Sequence, residues 1–178
     1  MAYVAIYTDI NDIHILAGAP SLLGSLLSNN DRQRAAARVR SWSEREESKK
    51  ALYHCLLLIQ ETIFTGQLYR ATKDNIALRP WSIYHASLIL WAYGAMARER
   101  SQPAPQDPSS RGRDMSCSAE EYLVRMLMLL GHDSADLDVV AQETAELLQA
   151  VRESLEGCRW ELLQEAYDTL GRLIGNDM

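Results

Sequence analysis

Between Arg79 and Arg98 the chain runs for 18 residues without a charge, "PWSIYHASLILWAYGAMA", and this run holds two of its four Trp and two of its eight Tyr. Few environments accept such a segment. As a helix it would span roughly 27 Å, just short of the ~30 Å hydrocarbon core of a bilayer. It also carries Ser82, His85 and Ser87, whose polar groups would each cost several kcal/mol in lipid without a partner. A membrane span is therefore not expected.

Wound at 3.6 residues per turn, the run puts Trp81, Tyr84, Leu88, Trp91 and Ala95 on one face and Ile83, Ala86, Leu90 and Tyr93 on another. A helix that is apolar around most of its circumference is one that other helices surround. Pro80 suits its first turn, where the missing N–H would be unpaired anyway. The rings are therefore read as core. Tyr hydroxyls, Trp N–H groups and His85 still need polar partners, and a ligand could supply some of them. Arg79, Trp81, Tyr84, His85, Trp91 and Tyr93 are thus the candidates for defining the core or lining a pocket.

Helical periodicity recurs elsewhere, and "AYVAIYTDI" at residues 2–10 is the one β-rich run. The expected class is all-α: one domain over 1–178, built as an irregular bundle of about five to seven helices. Asp31 can cap a helix beginning "RQRAAARVR". Ser43 and Glu46 have the spacing of a capping box ahead of a helix over 44–65, whose stripe reads Ala51, Leu52, Cys55, Leu56, Ile59 and Ile63. A second box, Ser118 with Glu121, precedes "YLVRMLMLL". A third long helix is expected over 136–155. A fourth should carry Trp160, Leu163, Tyr167, Leu170 and Ile174 as its stripe. Residues 100–116, rich in Pro, Gln, Ser and Arg, cannot repay the entropy of ordering and read as a disordered loop inserted between helices.

The net charge of -6 and scattered basic residues exclude a general phosphate-collecting surface, so no direct nucleic-acid contact is expected. Three Cys far apart fit reduced thiols inside a cell, and the N-terminal stretch has no basic start of a secretory signal. No zinc site is expected, because the three Cys and four His lack paired ligand spacing. Cys55 lies on a core stripe, unlike an activated nucleophile, and no catalytic constellation emerges.

Several stretches in order carry a resemblance: "DIHILAGAPSLLGSLLS", "KKALYHCLLLIQETIF", "LRPWSIYHASLILWAYGAMARE", "EEYLVRMLML" and "RWELLQEAYDTLGRLI". Together they resemble the C-terminal half of the fungal-specific transcription factor domain, the helical middle homology region of fungal zinc-dependent regulators. The likeness points to members whose DNA-binding part is a pair of Cys-Cys-His-His zinc fingers. It implies a nuclear regulator in which zinc and DNA contacts belong to a part absent here, so that this chain carries no cofactor. It also implies a fragment or truncated paralogue, since no finger ligands precede residue 12. The expected function is regulatory and not enzymatic. The expected partners are a second copy, a full-length relative or the transcription machinery, together with a small-molecule effector. The alternative is a stand-alone helical interaction or dimerisation module.

Overall fold

The structure, a computed structural model, describes residues 8–22, 24–66, 69–76, 78–101, 118–130 and 137–177. In chain order these form α1 (Ile10–Leu16), a two-residue antiparallel pair β1 (Ser21–Leu22) and β2 (Ser25–Leu26), α2 (Asn29–Ser43) and α3 (Glu46–Ile63). A 3₁₀ turn (Ala71–Lys73) leads into α4 (Leu78–Ser101). Then come α5 (Ala119–Leu130), α6 (Leu137–Ala141), α7 (Ala145–Ser154) and α8 (Glu161–Asp177). The fold is an all-α bundle, with eight α-helices among the described residues. The β-rich run at 2–10 falls largely outside those residues, and Ile10 opens α1.

The uncharged run forms the axis of the bundle. Every residue of α4 from Ala86 to Gly94 is buried. That stretch exceeds two turns, so no side of the helix is left for water. It packs against α1, α2, α3, α6, α7 and α8. The one hydroxyl within that stretch besides Tyr93, Ser87, donates to the Tyr84 carbonyl of its own helix at 2.7 Å and needs nothing from the core. Among the described residues no helix is long and apolar enough to cross a membrane.

Several boundaries differ from expectation. The cap of α2 is Ser28, which accepts from the Asp31 amide at 3.2 Å while the Asp31 carboxylate accepts from the Ser28 amide at 3.0 Å. Asp31 is the acidic partner of a capping box and not the cap. Ser43 does not open α3, because it belongs to α2 and its hydroxyl donates to the Arg40 carbonyl at 2.8 Å. Arg45 caps α3 without a side-chain bond. At Ser118 half of the expected box is present, the Glu121 amide donating to its hydroxyl at 3.2 Å. The loop expected over 100–116 lies outside the described residues from 102 onward, whereas Arg100 and Ser101 complete α4.

The third long helix is broken into α6 and α7. Its first half ends in i−3 bonds, Gln142 N–H to Val139 at 3.4 Å and Glu143 N–H to Val140 at 3.0 Å. Arg98 of α4 donates to the freed Gln142 carbonyl at 3.0 Å. The break lets α6 press its backbone onto α4 at Gly94, where a Cβ would lie 2.1 Å from the Ala141 carbonyl oxygen. The fourth helix starts one residue later than its stripe implied. Trp160 precedes it and is 53% exposed, while Leu163, Ala166, Leu170 and Leu173 form the buried row.

Candidate functional site

The six candidate residues separate into three places along α4. At its N-terminal end Trp81, Tyr84 and His85 meet His14 of α1. Ring centroids lie 4.5 Å apart for Trp81 and His85, 5.2 Å for Trp81 and Tyr84, and 5.7 Å for His14 and Tyr84. The Nε2 atoms of His14 and His85 are 3.1 Å apart, so one ring donates and the other accepts. Burial lowers both from the ordinary 6.5, His85 to about 4 with help from His14, while the charge of Glu165 opposes the shift at His14. Both rings are therefore neutral at pH 7. Tyr84 hydrogen-bonds Thr169 of α8, and burial pushes its phenol up to about 12.

Arg79 turns away from this cluster. It donates to both carboxylate oxygens of Asp74 at 3.2 Å, and Asp74 also accepts from the Tyr69 hydroxyl at 2.7 Å and the Ile76 amide at 2.8 Å. The Asp74 side chain is only 2% exposed. Burial alone would push its carboxyl up, but the bonds from Ile76, Tyr69 and Arg79 together hold it below the usual carboxylate range. Arg79 thus organises the turn that leads into α4.

Tyr93 serves the other end. Its hydroxyl donates to Asp138 of α6 at 3.2 Å, and Trp42 of α2 meets its ring edge-on at 6.4 Å. Arg100 binds Asp138 through two bonds of 3.0 and 2.8 Å, reaches Ser43 at 2.7 Å and lies 5.3 Å from the centre of the Tyr93 ring. Arg100 keeps the Asp138 carboxyl below its ordinary range, and burial with the Asp138 charge pushes Tyr93 up to about 12. This network ties α2, α4 and α6 together. Trp91 sits between the two ends, buried in the core.

Of the six, only Arg79 lines any of five clefts on the described surface, a groove of about 830 Å³ between α3 and the 3₁₀ turn. His14 and Thr169 were missed by sequence reasoning. Their partners lie 71 and 85 positions away, and no local spacing could signal the pairing. Cys55 is fully buried and its thiol is pushed far up, the opposite of an activated thiolate. Among the described residues no three His, Cys, Asp or Glu side chains gather as a metal ion would require.

No known family profile and no solved structure matches the chain. It is 27% identical over 173 residues to the nicotinate catabolism cluster-specific transcription factor of Emericella nidulans, a match covering 95% of this chain and 18% of that protein. It is 25% identical over 176 residues to zinc finger protein klf1 of Schizosaccharomyces pombe, covering 98% of this chain and 21% of that protein. The chain spans about a fifth of the length of these curated relatives. Over nearly its whole length, then, this helical bundle is similar to a short stretch of a fungal transcription factor and of a fungal zinc finger protein.

Proposed function

We propose that this chain is a regulatory helical region of a fungal transcription factor, the C-terminal part of the middle homology region, which acts in the nucleus without itself touching DNA. The observation that carries the reading is the similarity of 95–98% of the chain to about a fifth of a fungal transcription factor and of a fungal zinc finger protein. A net charge of -6 supports it, because phosphate binding rests on clustered cations. One relative is named a zinc finger protein, and zinc belongs to such a finger part, outside this region. The region acts through protein partners (a second copy, a full-length relative or the transcription machinery) and answers to a small effector. No catalytic step is assigned to it. A stand-alone interaction module is the second reading, favoured by Val124 and Met128 of α5, which are 44% and 66% exposed.

A fusion of the chain to a heterologous DNA-binding domain, placed before a reporter in yeast, tests this. Reporter output should differ from that of the DNA-binding domain alone, while the chain without fusion fails to shift duplex DNA at physiological salt. An inert fusion, or a chain that binds duplex DNA by itself, refutes the reading.

A further inference from the structure

Between the start of α4 and the turn joining α7 to α8 lies a cleft of about 320 Å³, separate from the cluster around His85. Its floor is apolar, with Pro80 and Leu163 both buried. At its mouth stands Trp160, a large ring left 53% exposed because α8 begins one residue after it. Leu162 next to it is 59% exposed. An indole held in water beside an apolar floor is a ready stacking surface.

Charge selects the ligand. The one carboxylate in the lining, Asp74, is already saturated by Arg79, Tyr69 and the Ile76 amide. Arg159, adjoining Trp160, makes no ion pair or hydrogen bond among the described residues. Among the described residues the cleft thus offers one uncommitted cation beside an aromatic face and no uncommitted anion. Its volume lies at the small end of ligand pockets, about 300 to 1,000 Å³. That is room for a body of one or two rings.

We propose that this cleft binds a small planar aromatic acid, the ring stacked on Trp160 above Pro80 and Leu163 and the carboxylate paired with Arg159. Its role as the effector site rests on the regulatory reading above.

The test uses the whole chain with isotope-labelled indole nitrogens and three probes of one shape: benzoate, benzamide and benzylamine. Benzoate should shift, saturably and in the millimolar range expected for so small a ligand, the indole signal that disappears in Trp160→Phe. Benzamide should bind roughly tenfold more weakly and benzylamine not at all, the difference being one charge-assisted pair. Arg159→Gln should lower benzoate to the level of benzamide, and Trp160→Ala should abolish both. Both residues are exposed, so both variants should melt like the parent. Benzoate that leaves the Trp160 signal unmoved, or that binds Trp160→Ala and Arg159→Gln as it binds the parent, overturns the site. So does a Trp160→Ala variant that only dissolves a dimer in sedimentation, which would assign the cleft to a second copy. In the reporter fusion, regulation that persists with no benzoate binding sinks the site and spares the regulatory reading. An inert fusion whose chain still binds benzoate through Arg159 does the reverse.

Discussion

At His85 two half-buried imidazoles share one hydrogen bond, and a proton on the accepting nitrogen would break it. Tyr84, Trp81 and His14 surround the ring, and among the described residues Glu165 of α8 is the charge that favours protonation at His14. Because the folded protein holds His85 near 4 and an unfolded chain near 6.5, the unfolded state binds more protons across that window. Stability should therefore be fully present above about pH 6.5 and decline as the pH falls toward 4. The depressed carboxyls of Asp74 and Asp138 titrate below their ordinary 3.8, so they leave this window to the histidines. We expect the urea midpoint to be lower at pH 5 than at pH 7, and His85→Gln to shrink that difference. Equal midpoints in the parent would show that α1 and α4 are not linked through this pair.

Among elements, α4 and α6 meet backbone to backbone at Gly94. A methyl at Gly94 would meet the Ala141 carbonyl oxygen at 2.1 Å, and that atom is main chain held by α6, not the end of a pliable side chain. Alanine in mid-helix is worth about 1 kcal/mol over glycine, whereas overpacking against a fixed neighbour costs about 1–3 kcal/mol. With a rigid backbone oxygen at 2.1 Å the upper end of that cost applies, and we expect Gly94→Ala to lose about 2 kcal/mol net in urea denaturation. An equally stable or more stable variant would mean that α6 slides freely on α4. The same contact explains what was legible in advance. The stripe of α3 could be read because burial follows its own 3.6-residue period, as at Leu52, Cys55, Leu56 and Ile59, and α4 could be read because it is apolar most of the way round. The break at Gln142–Thr144 could not, because the groups that meet it, Gly94 and Arg98, lie some 45 residues away on another helix. Capping failed by a shift of a few positions: Ser28 and not Asp31 caps α2, and Arg45 and not Ser43 precedes α3. Of the candidate site, the ring-rich end of α4 was visible, but not the histidine that completes it.

For the molecule as a whole, α4 touches six of the other helices, and one cluster of buried residues runs through them among the described residues. Loss of packing at the middle of α4 should then be felt everywhere at once. Trp91 is the largest ring within the continuously buried stretch and is 9% exposed. Truncating such a ring costs about 3–5 kcal/mol, a large part of the 5–15 kcal/mol typical of a domain. We expect Trp91→Ala to fold, to lose roughly that amount, and to unfold in a single transition. Near-ultraviolet dichroism and fluorescence, which follow the environments of the remaining rings, should share one midpoint with helix loss. Trp42 reports the α2 side of the bundle and Trp160 the α8 side, so midpoints that separate would reveal two units joined at α4. Stability unchanged by the substitution would mean that the ring serves a ligand and not the architecture.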